Sequence, residues 1–198
     1  MQLRGYGSLT EACDLAAAFS ADAAGPTCCV LYTPRIDDAA HEHGPAHIEV
    51  VGAVRALDEQ VARLASRLPT AARMVVTSDH GHLAVPPGGR RVLRSDDEVG
   101  RLLRASPGGD ARVLTFFVRA DAIDAFPAAF RARFREQFVL LTPDEVEALA
   151  LLGPGPLAPL TRERLGDFIA VALGADVLEY RPTGARADGR LGLRSHHS

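Results

Sequence analysis

Two short β-prone apolar runs, TCCVLYT at 27–33 and RMVVTSDHG at 73–81, flank a stretch in which Ile48, Val51, Val54, Leu57, Val61, Leu64 and Leu68 recur at spacings of three and four. The runs are continuous rather than alternating, as in strands buried on both faces, and the recurrence marks the apolar face of a long helix. Strand, helix and strand in that order predict a right-handed crossover between parallel strands. The expected class is therefore α/β, a sandwich with a mostly parallel central sheet and helices on both faces.

The remaining sequence fits this frame. Ser8 and Glu11 stand at capping-box spacing before Leu9, Ala12, Leu15, Ala16 and Phe19, which predicts a helix over 8–22. The segment PRIDDAAHEHGP at 34–45 reads as a loop. Beyond Gly81 the pattern predicts a short helix at 98–105, a strand RVLTFFV, a helix over 122–135, a strand FVLLT, and a helix capped by Thr142. FIAVAL and DVLEY, joined at Gly174 and Ala175, read as a hairpin. No repeat or linker interrupts the 198 residues, which are expected to form a single domain over 1–198.

Charge excludes several functions. The 22 basic and 25 acidic residues leave a net charge of −3 with no basic run, so nothing marks a nucleic-acid duplex or an anionic membrane as partner. No apolar stretch has the length of a bilayer span. Cys13, Cys28 and Cys29 are odd in number and lack metal-ligand spacing, so they read as buried thiols of a reducing compartment. The first residues hold no apolar signal core, and a cytoplasmic location is expected.

The chemistry is concentrated in the histidines. His41, His43 and His47 form one group, His80 and His82 a second, and His196 and His197 stand near the end. Asp37 precedes His41 by four positions and Asp79 precedes His80 directly, each pair just past a predicted strand, where open α/β sheets bind ligands. Zinc takes imidazole nitrogen and carboxylate oxygen together, and a catalytic site needs about three such ligands and an open position. Asp37, His41 and a terminal histidine can form one set, and Asp79 with His80 can begin a second. Two ions about 4 Å apart would clamp a phosphoryl group.

The stretch YTPRIDDAAHEHGP, a long helix and then VVTSDHG together resemble the type I phosphodiesterase and nucleotide pyrophosphatase family of the alkaline phosphatase superfamily. Its members carry a P-D-x-x-G-H-x-x-G-P motif followed by S-D-H-G. Asp37, His41, Gly44 and Pro45 match the first motif and Ser78 through Gly81 the second, with Ile36 in place of proline and Ala40 in place of glycine. The segment RLGDFIAVA at 164–172 is similar to bacterial members as well.

The resemblance implies an alkaline-phosphatase-like three-layer fold and a zinc-dependent hydrolase of phosphodiester or pyrophosphate bonds in small substrates such as nucleotides. Two divalent ions are implied, Asp37, His41 and His197 holding one, with His196 the alternative, and Asp79 and His80 the other. His43 and His82 are left as supporting or substrate-contacting residues. The family's nucleophilic hydroxyl and a further metal-binding aspartate come from upstream of the first motif, yet only 36 residues precede Asp37 and none matches. The chain thus reads as the C-terminal part of such a domain, incomplete on its N-terminal side, inactive alone, with an exposed sheet edge. Thr33 and Thr77 read as packing or turn residues. A phosphomonoesterase or phosphomutase of the same superfamily, or a catalytically silent metal-binding fragment, are the alternatives.

Overall fold

The computed structural model describes residues 2–184 and, for the backbone, 195–197. The chain divides into two compact units, one over Met1–His82 and one over Leu83–Gly192, with the last residues shared between them.

The first unit is helical. Helix α1 (Leu9–Ala21) begins as its sequence dictates: the Ser8 side chain accepts the Glu11 N–H, and Glu11 Oε2 accepts the Gly7 N–H at 2.7 Å. These bonds satisfy donors that a helix start leaves orphaned. Helix α3 (Ile48–Arg67) occupies the long periodic stretch. Cys13, Ala16 and Ala17 of α1 pack with Leu64 of α3, and Leu9, Leu31 and Leu68 close over them. An Arg67–Asp14 ion pair joins the same two helices. The apolar face of α3 is only half used, since Ile48, Val51 and Val54 remain exposed.

The structure corrects three local expectations in this unit. Residues 34–45 are no loop: α2 (Arg35–His43) starts after Pro34 and ends on Gly44, whose φ of 90° suits a residue without a Cβ. Asp37 and Asp38 lie in its first turn and His41 and His43 in its last, the polarity that a helix dipole favours. The runs at 27–33 and 73–79 form no ladder, and Val30, Tyr32, Val75 and Val76 are exposed. β-propensity describes a fit to a pleated neighbour, and among the described residues neither run has one. Cys28 and Cys29, expected to be buried, are exposed with the first run, and Cys13 alone of the three is buried.

The second unit holds most of the sheet structure. Its elements are β1 (His82–Ala84), β2 (Arg90–Arg94), β3 (Gly108–Asp110), β4 (Val113–Phe116), α4 (Phe126–Phe134), β5 (Phe138–Leu141), α5 (Pro143–Ala148), α6 (Pro159–Leu165), β6 (Phe168–Ala172) and β7 (Val177–Arg181), with β8 (Ser195–His197) paired to β1. The short helix expected at 98–105 is a single 3-10 turn, Gly100–Leu102. Strands β3, β4, β6 and β5 lie in that order in an antiparallel sheet, and β2 runs parallel to β7. The architecture is α/β, with its described parallel pairing in the β2–β7 ladder.

FIAVAL and DVLEY do not form the expected hairpin, because β6 joins β4 and β5 whereas β7 joins β2. The Val177 N–H donates to Gly89 O and the Leu173 N–H to Gln137 O, so the chain is handed from one sheet to the other between them. Long-range partners override the local turn signal.

Phenylalanines fill this core. Phe126, Phe130 and Phe134 recur every four residues along one face of α4 and meet Phe116 and Phe138 from the sheet, all nearly inaccessible to solvent. Ring centroids lie 5.0–5.9 Å apart from Phe116 through Phe126 and Phe130 to Phe134, within the range of favourable aromatic pairs. Asp97 ties the edge: its carboxylate accepts the Gly100 N–H at 2.8 Å, the Arg94 N–H at 2.9 Å, and the Arg133 guanidinium. Burial works to raise the Asp97 pKa, but these hydrogen bonds outweigh it and hold the carboxyl below its ordinary value. A Cβ at Gly100 would fall 1.9 Å from Arg94 O, so no other residue fits without moving the backbone.

The RLGDF segment is structural. Gly166 has φ +69°, and a Cβ there would meet Phe116 O at 2.6 Å. Asp167 Oδ2 accepts the Val118 N–H at 2.7 Å, fastening the loop to β4. Thr142 caps α5 as expected, with Glu145 returning the bond in a full capping box.

Candidate metal centre

Helix α2 sets Asp37 and His41 one turn apart, so the polar spacing of the sequence becomes a single face. His41 Nε2 lies 3.5 Å from Asp37 Oδ1. Two further imidazoles arrive where the second run ends: His80 Nε2 is 3.9 Å and His82 Nε2 2.8 Å from the same oxygen. The His82 ring stands edge-on to both neighbours, 4.8 Å from His41 and 5.4 Å from His80 between centroids. Among the described residues, one carboxylate oxygen thus has three imidazoles around it, all within the first unit.

Of the residues singled out in the sequence, the structure brings together Asp37, His41, His80 and His82. Asp79 lies beside His80, with Oδ2 3.7 Å from Nε2, and its side chain is 77% exposed. His43 stacks on His47 at 4.9 Å and neighbours Glu42. His47 has a structural task the sequence did not disclose, since its Nδ1 accepts the Glu49 N–H and caps α3. His196 and His197 fall on β8, whose side chains lie outside the described residues.

His82 is the residue whose importance the motifs understated. Its side chain is 11% exposed, and in its neutral form its Nε2–H donates to Asp37. Burial lowers its pKa most, the hydrogen bond to Asp37 opposes this, and His41 and His80 add to the lowering. The net direction favours the uncharged imidazole, the form that binds metal.

The donor chemistry fits a divalent ion. Asp37, His80 and His82 each offer one ligand atom, and these lie within 4.8 Å of one another. Ligands about 2 Å from a tetrahedral zinc stand roughly 3.4 Å apart, so a contraction of at most about 1.4 Å closes the set. Two imidazoles and a carboxylate suit zinc better than magnesium or calcium.

The family model of type I phosphodiesterase / nucleotide pyrophosphatase matches residues 6–172. Among solved structures, murine ectonucleotide pyrophosphatase / phosphodiesterase 5 superposes on all of this chain and 50% of its own, with a TM-score of 0.68 and 17% identity. An inactive variant of that protein in complex with AMP matches with the same coverage and TM-score at 16% identity. Phosphonoacetate hydrolase from Sinorhizobium meliloti in complex with phosphonoformate covers 80% of this chain and 42% of its own, with a TM-score of 0.52 and 19% identity. The chain therefore spans about half the length of the structures it resembles, and the likeness establishes an alkaline-phosphatase-like α/β fold. No curated protein sequence matches it.

Proposed function

Since the chain belongs to the type I phosphodiesterase / nucleotide pyrophosphatase family, we propose that it carries the metal-ligand part of a centre that hydrolyses phosphodiester or pyrophosphate bonds in small substrates such as nucleotides. The observation that supports this most is Asp37 Oδ1 with imidazole nitrogens of His82, His41 and His80 at 2.8, 3.5 and 3.9 Å. Following the family pattern, Asp37, His41 and His197 hold one divalent ion and Asp79 and His80 a second, both zinc. When bound, such ions supply positive charge where oxyanion charge develops on a phosphoryl group.

The chain's own residues orient and neutralise. Asp37 and His41 sit on a helix face and move as one, and the carboxylates offset the charge of the ions. The hydroxyl that would attack phosphorus is not expected here: Thr77 Oγ1 donates to the adjacent Ser78 carbonyl at 3.2 Å, as a turn residue does. This chain alone therefore binds zinc and does not turn over. The three free cysteines, two of them exposed, suit a reducing cytoplasm. Among the described residues no helix is long and apolar enough to cross a membrane.

The test measures metal by mass spectrometry on chelator-stripped and zinc-reloaded protein, with bis(4-nitrophenyl) phosphate hydrolysis followed on the same samples. Zinc retention that falls in His41→Ala, with negligible turnover, is expected. Failure of the unaltered chain to retain zinc refutes the metal reading. Robust hydrolysis abolished by Asp79→Ala would place the nucleophile within this chain and refute its silence.

A further inference from the structure

The proposed function leaves the adjacent cysteines Cys28 and Cys29 without a task. Both are free and exposed, whereas Cys13 is buried with Ala16, Ala17 and Leu64. They belong to the run 27–33, whose far end is fixed: Leu31 packs onto that buried group, and the Tyr32 carbonyl accepts the Tyr6 hydroxyl. Val30, between the thiols and that anchor, is 87% exposed. Two neighbouring thiols can bridge to each other, react singly, or share one acceptor atom. Adjacent Cα atoms stand about 3.8 Å apart across a trans peptide, short of the roughly 4.4 Å at which relaxed disulfides begin, so a direct bridge is disfavoured. In a paired strand, successive side chains also point to opposite faces. This run has no ladder partner among the described residues, so no ladder keeps the two sulfurs apart.

From these observations we propose that Cys28 and Cys29 form a dithiol site that captures one soft, thiophilic centre of the trivalent-arsenic class between their two sulfurs. Thiolate sulfur selects soft acceptors over the hard ions that oxygen ligands hold. Once one sulfur is attached, its neighbour is presented to the same atom at high effective concentration. The acceptor atom inserted between the sulfurs relieves the short span that disfavours a disulfide. With a monosubstituted arsenoxide the step is a condensation: two arsenic–sulfur bonds form, the arsenic–oxygen double bond breaks, and both thiol protons leave with that oxygen as water. Arsenic stays trivalent and the sulfurs are not oxidised, so the step needs no oxidant. Because both sulfurs must face one way, capture is incompatible with 28–29 joining a ladder, and the open form of the run is the form that binds.

The experiment titrates phenylarsine oxide into the reduced, oxygen-free 198-residue chain and counts the thiols that still react rapidly with a chromogenic disulfide. The unaltered chain should lose both of its exposed thiols at one equivalent, and its intact mass should rise by one arsenical less one water. Cys28→Ser and Cys29→Ser should each hold the arsenical about 100-fold more weakly or worse, the advantage that a linked second contact confers. Cys13→Ala should behave as the unaltered chain does. If two equivalents are needed to protect the two thiols, or if either serine variant keeps the full affinity, the sulfurs act singly and the proposal is overturned.

The unaltered chain supplies a check that needs no variant. After loading with one equivalent, iodoacetamide should leave Cys28 and Cys29 unalkylated, and a small competing dithiol should restore both to reaction. Alkylation of either cysteine in the loaded chain, or a covalent dimer in which arsenic joins two chains, overturns the assignment. The titration needs no zinc and reads only thiols, so its failure leaves the proposed function standing.

Discussion

Residues 83–184 bury Phe116, Phe126, Phe130, Phe134 and Phe138 in one cluster, whereas the buried apolar residues of 2–82 are Ala12, Cys13, Ala16, Ala17, Ala40, Val50 and Leu64. An aromatic ring removes 150–250 Å² or so from water, at about 25 cal/mol per Å², and an alanine far less. The second region therefore holds itself together through apolar burial, and polar anchors such as Asp97 and Asp167 fasten loops to that core. In the first region the group around Asp37 is polar: one carboxylate with three imidazoles beside it among the described residues. The site's chemistry lies in the region with the smaller apolar core, which couples the order of that region to what it binds.

The largest test of this contrast is Phe130→Ala. Phe130 touches Phe116, Phe126 and Phe134, and its truncation should destabilise residues 83–184 by about 3–5 kcal/mol in urea titrations. A loss under 1 kcal/mol, on the order of a surface substitution, would remove the basis of the comparison.

Zinc should act on the other region. At a hundred times its dissociation constant it contributes about 2.7 kcal/mol to whatever it binds only when folded. Amide exchange should slow over α2 and α3 and stay constant over β4, β5 and β6. Equal slowing in both would mean that the two regions open together, and the contrast would fail.

A smaller effect sharpens the description of the second region. Asp97 has a folded pKa below its unfolded value of about 3.9, so its contribution is fully present above that value and disappears as pH falls through the folded one. Replacing it with asparagine should cost on the order of 2 kcal/mol near neutrality, since hydrogen bonds to a charged group are lost. The gap between Asp97→Asn and the unaltered chain should narrow in denaturation curves as pH is taken below the ordinary carboxylate range. A gap independent of pH would assign the effect to packing.

The helices with local instructions were legible in the sequence. Ser8 with Glu11 and Thr142 with Glu145 specify their own helix starts, and the spacing from Ile48 to Leu68 specifies α3. Helix α2 was not, because IDDAAHEH carries no apolar period; its signals were the acidic first turn, the basic last turn and Gly44. Strand pairing is non-local, so 27–33 and 73–79 were read correctly for propensity and incorrectly for partnership, and the β2–β7 ladder was invisible behind the Gly174 turn signal. At the site, motif spacing led to Asp37, His41 and His80, but His82 needed a distance, since nothing in one dimension brings it to Asp37.

Asp37 and His41 share one helical turn, and His80 and His82 share three consecutive residues. The four groups thus belong to two short segments, and each segment presents two donors at once. This is the logic of a chelate: once one donor of a segment is engaged, the other is held at a high effective concentration, and fixing one backbone immobilises both. Affinity for an ion should then depend less on any single donor's strength than on whether α2 and the 80–82 segment are both ordered. An insertion of one residue between Asp37 and His41 would rotate one member of the pair by about a further 100° around the helix and dissolve that advantage without removing any ligand.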